Sequence, residues 1–138
     1  MYKFTGDLRF KEYASRLARY FLSRLPEDGV VFYDFDDPEI PEVRKDTSAQ
    51  AVAAAGLFGL AELCAGIERS SYFEWGVKLL EPLFLNYLLP SNGDGHPRGF
   101  LRGGCHFKAR DQGVDSEIVY GDYYLVEALM RYLGVTTW

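Results

Sequence analysis

From Ala51 to Leu63 the chain runs thirteen residues with one ionisable side chain, Glu62, and it enters this run through Asp46, Thr47, Ser48, Ala49 and Gln50. A helix on the surface of a globule shows a polar face along one side. This segment has none, so as a helix it must be covered on nearly every side. Its alanines and glycines let neighbouring helices approach closely. Thirteen residues are too few to span a bilayer, which takes about 20. The segment therefore predicts a helix in the inner layer of an all-α protein, with a polar N-terminus that is capped or faces a ligand.

Three more helices follow from apolar spacing. Phe10, Tyr13, Ala14, Leu17, Ala18, Phe21, Leu22 and Leu25 recur at steps of three and four, opposite Arg9, Lys11, Glu12, Arg16, Arg19 and Arg24. Asp7 is placed to cap this helix and Pro26 follows its end. The inner helix comes second, with Thr47 and Gln50 at capping-box spacing. A third helix is expected from Ser71, with Glu74 completing another capping box, and Pro82 should kink it. A fourth is expected from Asp122 to about Arg131, closed by Gly134. The helices alternate between one-sided and enclosed, as two concentric layers require. The links into the two enclosed helices, 26–45 and 90–121, are long, and long links are uncommon unless they do something. Both deliver chain to a helix N-terminus, which puts two elaborate loops and two N-termini on one rim. Free N–H groups and a positive dipole end make such a rim favourable for anions.

At 138 residues, 48% hydrophobic and 16% aromatic, the chain can bury a core, and a single all-α domain over 1–138 is expected. Its formal net charge of −5 argues against nucleic acid as a partner, which requires a basic footprint. No run is long enough for a membrane span. No basic leader with an apolar run stands at the N-terminus, so a cytoplasmic location is expected. Cys64 and Cys105 do not make a disulfide framework. Asn92-Gly93-Asp94-Gly95-His96 and the glycines after it lack a phosphate-loop order, so nucleotide binding is rejected. Asp34, Asp36 and Asp37 lack the spacing and closing Glu of a calcium loop, and Cys105-His106 has no second ligand pair for zinc. No metal and no cofactor are expected.

Several segments, in order, match a known pattern. They are Tyr2-Lys3-Phe4-Thr5-Gly6-Asp7, Leu25-Pro26-Glu27-Asp28-Gly29, Tyr33-Asp34-Phe35-Asp36-Asp37-Pro38-Glu39-Ile40-Pro41, Lys45-Asp46-Thr47-Ser48-Ala49, and Ile118 through Leu129. Together they resemble the C-terminal portion of the unsaturated glucuronyl hydrolases, glycoside hydrolase family 88, and more distantly the unsaturated rhamnogalacturonyl hydrolases. The resemblance implies an (α/α)6 toroid of six helical hairpins, of which only the C-terminal part is present here. It implies an oligosaccharide ligand with a 4,5-unsaturated uronic acid at its non-reducing end. In that family an Asp acts as general acid and base to hydrate the vinyl ether double bond, and the resulting hemiketal falls apart. The segments that carry the catalytic Asp and a second essential Asp are not among these residues. The resemblance therefore implies no catalytic residue in this chain, which is expected to be inactive alone. The alternative is a non-catalytic helical module for binding or assembly. Unpartnered flanks of a partial toroid further imply a homo-oligomer, or a partner chain that supplies the remaining hairpins.

By the same resemblance, Tyr33, Asp46, Ser48, His106, Tyr120 and Asp122 stand near the sugar rim. For Asp46, Thr47 and Ser48, and again for Asp122, helix capping is the competing reading, because these are the preferred cap residues.

Overall fold

The computed structural model describes residues 1–90 and 99–135. Its helices are α1 (Tyr2–Thr5), α2 (Leu8–Ser23), α3 (Thr47–Ala61), α4 (Gly66–Asn86) and α5 (Val119–Tyr132), with a two-stranded antiparallel sheet of β1 (Gly104–Phe107) and β2 (Gln112–Ser116) before α5. The fold is all-α with this one small addition. Cys105 pairs with Val114 and Phe107 with Gln112, around a single 3₁₀ turn at Lys108–Arg110.

The uncharged helix is the centre of the structure. Ala51, Ala54, Ala55, Leu57, Phe58, Leu60 and Ala61 of α3 form one apolar cluster with Tyr72, Leu79, Leu80 and Leu83 of α4, Leu101, and Leu125 and Ala128 of α5. The small residues act as expected. Phe58 fills the space over Gly76 of α4 so closely that a Cβ there would sit 2.8 Å from its ring. Helix α3 packs along both α4 and α5 and more slightly against α2, while α4 and α5 barely touch each other.

Four local expectations change. Helix α4 begins at Gly66, not Ser71, and its N-cap Ala65 offers no side-chain bond. Residues 66–70 already form a helical turn, so Ser71 lies where main-chain carbonyls satisfy the N–H groups and no capping box is needed. Pro82 lies inside the helix, which runs on to Asn86 within the expected span. The second capping box is absent too. Asp46 rather than Thr47 is the N-cap of α3, accepting from the Ser48 and Ala49 amides, and Gln50 turns away into the core. Helix α5 begins at Val119, with Ile118 as N-cap, so Asp122 sits in the first turn and caps nothing on its own helix. By contrast Asp7 caps α2, and Gly134 closes α5 with φ 73° as its N–H donates to the Arg131 carbonyl.

The fourth concerns covering. Along one side of α3, Val52 is 39% exposed and Gly56 is exposed, with Ala49 and Ala53 half-buried. On α2, Phe10, Tyr13 and Leu17 of the expected apolar face are also exposed, while Ala14, Ala18, Phe21, Leu22 and Leu25 pack inward. No described residue covers this flank fully, because α2 crosses only part of it.

Candidate functional site

The two long loops meet at the N-terminal ends of α3 and α5. The Asp46 amide donates to the Val31 carbonyl at 3.0 Å, and the Thr47 amide donates to the Gly103 carbonyl at 3.1 Å. The Thr47 hydroxyl donates to the Arg102 carbonyl at 2.7 Å. Gly103 has φ +79°, and a Cβ on it would meet the Tyr87 ring at 2.8 Å, so this crossing requires glycine on both counts. The two inner helices touch directly. A Cβ on Gly121 would sit 2.9 Å from the Ser48 Cβ. Glycine at 121 lets the N-termini of α3 and α5 come side by side and parallel.

Asp46 binds this junction together. It is 7% exposed, and its Oδ1 accepts from the amides of Ser48 (3.1 Å), Ala49 (3.3 Å) and Cys105 (3.2 Å), and from the Ser48 hydroxyl. It therefore caps α3 and also holds the start of β1 against the helix end. Beside it, burial and then the Asp46 charge push the Cys105 thiol above its ordinary pKa, so this sulfur is a poor nucleophile at neutral pH. His106, next in β1, is exposed, and its ring lies 6.5 Å from that of Tyr120, centre to centre, in the first turn of α5. Among the described residues no side chain caps α5. The solvent-facing part of the rim is thus an uncapped helix N-terminus flanked by an imidazole and a phenol, above a buried carboxylate.

The expected site residues divide accordingly. Asp46, Ser48, His106 and Tyr120 are brought together. Tyr33 lies on the loop that leads to them, half-buried, with its amide donating to the Arg44 carbonyl at 2.9 Å. Asp122 turns aside. Its carboxylate accepts from the Leu101 amide at 2.9 Å and the Phe100 amide at 3.2 Å, and it borders a cavity of about 350 Å³ along the outer flank of α5 with Phe100, Val119, Tyr123 and Val126. The expected glycine-rich run 92–96 lies outside the described residues.

Two contributors escaped the sequence. Gln50 is fully buried, accepts from the Val31 amide at 3.0 Å, and donates to the carbonyls of Gly29 (3.0 Å) and Leu79 (2.8 Å). It ties the first loop to α3 and α4. A lone uncharged amide in an apolar run was the available signal. Lys108 ties the two loops to each other, donating to Asp37 at 2.6 Å and Glu39 at 2.7 Å. The acidic turn is used up in such contacts. Asp36 pairs with Arg24, and Asp34 accepts from the Asp36 amide.

Lys108 holds the Asp37 carboxyl below its ordinary pKa, and Asp37 and then Glu39 raise that of Lys108. A depressed carboxylate stabilises above its unfolded pKa and loses that contribution as pH falls through the folded value. A raised lysine stabilises below its unfolded pKa and loses it as pH rises through the folded value. The stability difference between the wild type and Lys108→Met is therefore expected to stay flat from about pH 5 to 9 and to shrink below about pH 4. Thermal unfolding of both proteins across pH reads this directly, and a difference that grows on acidification would contradict it.

No family model matches the chain. Similarity to individual proteins is extensive. The unsaturated glucuronyl hydrolase of Bacillus sp. (strain GL1) is 35% identical over 131 residues, 94% of this chain and 34% of the relative. The unsaturated chondroitin disaccharide hydrolase of Streptococcus pyogenes serotype M1 is 28% identical over 95% of the chain and 33% of its own length. The crystal structure of the Bacillus enzyme superposes with a TM-score of 0.82 over 94% of the chain and 34% of that structure. The chain is homologous to the C-terminal portion of the unsaturated glucuronyl hydrolases. A hydrolase variant from Streptococcus agalactiae complexed with dGlcA-GalNAc6S gives a TM-score of 0.86 at 28% identity, over 99% of this chain and 36% of that structure. These neighbours have an (α/α)6 toroid fold, and this chain matches it in part. It spans about a third of the length of the curated relatives it matches.

Proposed function

We propose that this chain forms the C-terminal rim of a pocket for unsaturated uronyl oligosaccharides, and that it does not turn them over by itself. The observation that carries this reading is the uncapped N-terminus of α5 beside His106 and Tyr120. A helix N-terminus favours an anion through its N–H groups and dipole, and a uronate carboxylate is such an anion. The imidazole and phenol add hydrogen-bonding groups and a ring face on which a sugar can lie. The similarity to hydrolases of glucuronyl and chondroitin disaccharides, one of them complexed with dGlcA-GalNAc6S, supports the same ligand class. The carboxylates at the rim support the absence of turnover. Asp46 and Asp122 are both engaged as acceptors of main-chain amides, which leaves neither placed as a general acid. Ser48, buried beneath the rim, donates its hydroxyl to Asp46.

Equilibrium dialysis against an unsaturated uronyl disaccharide tests this reading. His106→Ala should weaken binding about tenfold, since a hydrogen bond to a charged group contributes about 1.5–3 kcal/mol and about 1.4 kcal/mol is a factor of ten. Tyr120→Ala should weaken it further. Binding that is undetectable in the wild type, or unchanged in both variants, would contradict the proposal. A second reading, an assembly module, is favoured by the two exposed apolar flanks.

A further inference from the structure

The β1–β2 hairpin carries His106 to the rim, yet little of it is packed. Residues 106–113 are exposed apart from Lys108, and the hairpin's main contact with a helix, among the described elements, is β1 against α3. It is held at two points that bracket His106. Before it, the Cys105 amide donates to Asp46 Oδ1 at 3.2 Å. After it, the Lys108 ammonium donates to Asp37 Oδ2 at 2.6 Å and to Glu39 Oε2 at 2.7 Å. Exposed ion pairs contribute little, but this one is sheltered. The Asp37 side chain is 10% exposed and that of Lys108 30% exposed. The other Asp37 oxygen accepts from the Glu39 amide at 2.9 Å, so one carboxylate fixes the turn that presents the second. The receiving loop is itself anchored on α2. Phe35 sets its ring edge-on against Phe21 and Tyr20, with centres 5.5 and 5.8 Å apart. Arg24, just past that helix, pairs with Asp36 and donates to the Phe35 carbonyl. Across the hairpin from His106, Gly113 has φ +57°, and a Cβ there would lie 3.1 Å from the His106 Cβ.

We propose that Lys108 is a positioning residue for the rim: its clasp on Asp37 and Glu39 passes the anchorage of the first loop to the hairpin and so fixes His106 beside Tyr120. Without the clasp the hairpin keeps only the Asp46 contact at Cys105, and its exposed part swings from that point. The imidazole then samples many positions, and ordering it again on binding costs free energy that the clasp has already removed. The ammonium is committed to two carboxylates, so it acts on a ligand only through His106. What the placement serves rests on the sugar reading; the placement itself does not.

Nuclear magnetic resonance on the whole chain tests the placement without any ligand. A ring-to-ring nuclear Overhauser effect between His106 and Tyr120 is expected in the wild type and in Lys108→Arg, which keeps a cation that two carboxylates can share. It should vanish in Lys108→Met and in the double variant Asp37→Asn/Glu39→Gln. The order parameter of the His106 amide should fall there from about 0.85 to below about 0.6, with those of α3 unchanged. Lys108→Met should weaken binding of an unsaturated uronyl disaccharide by at most the loss of about tenfold expected for His106→Ala. It should weaken binding no further once His106→Ala is present. An Overhauser effect that survives Lys108→Met, or that is lost there but kept in the Asp37→Asn/Glu39→Gln variant, would overturn the proposal. So would a loss of order that extends through α3, or a binding loss that persists in the His106→Ala background. A wild type that shows the effect but binds no disaccharide sinks the sugar reading alone.

Discussion

Gln50→Leu is expected to lower the unfolding free energy by about 3 kcal/mol or more. Gln50 is fully buried and serves three main-chain groups from three segments, at Gly29, Val31 and Leu79. Leucine has nearly the same volume, so packing changes little and the hydrogen bonds dominate. Each buried main-chain group left without a partner costs about 1–3 kcal/mol. Relaxation and water entry recover part of that sum, which sets the estimate near its lower end. For a chain of this size the midpoint of thermal unfolding should fall by roughly 10–15 °C. Urea unfolding is the cleaner check, with the midpoint shifted and the slope unchanged. A leucine variant as stable as the wild type would show that the amide is dispensable.

The second large effect is at Asp46. As a helix cap alone it would contribute about 0.5–2 kcal/mol. The structure adds the Cys105 amide, which is buried with Cys105 at 1% exposure and donates to the same oxygen that caps α3. Asp46→Ala leaves that amide without an acceptor as well, so the expected loss is about 2–4 kcal/mol. Asp46→Asn keeps an acceptor oxygen in the same place and should recover most of it. Amide hydrogen exchange separates the two roles. In the alanine variant the Cys105 and Ser48 amides should exchange faster together, whereas a cap with no wider role would free only the first turn of α3.

How much of this was legible depended on the range of the interaction that decides each feature. Asp7 and Gly134 act within a few residues, and both ends were placed from sequence. The burial of most of α3 was also legible, because thirteen residues with a single charge offer no polar face. What the residues did not say is which parts of that helix the described chain leaves open, since Val52 and Gly56 look no different from Ala51 and Ala55 in a one-dimensional pattern. Asp122 shows the limit most plainly. Its sequence setting is that of a cap, yet its partners are the Phe100 and Leu101 amides some twenty residues earlier in the chain. The β1–β2 hairpin depends in the same way on Asp46, 59 residues before Cys105. Of the rim, Asp46, Ser48, His106 and Tyr120 came from a resemblance carried residue by residue. Gln50 and Lys108 had no such guide, and only the folded chain shows what they hold.

The most direct measurement combines binding and chemistry in one sample. An unsaturated uronyl disaccharide absorbs in the ultraviolet through its conjugated double bond, and hydration removes that absorbance. General acid–base catalysis contributes typically 10²–10⁴-fold, and positioning several kcal/mol more. With Asp46 and Asp122 both committed to main-chain amides, the wild-type chain at saturating protein should hold the disaccharide while its absorbance stays constant over hours. Steady loss of absorbance, abolished by Asp46→Ala or Asp122→Ala in variants that remain folded, would contradict the account and make the chain a hydrolase in its own right.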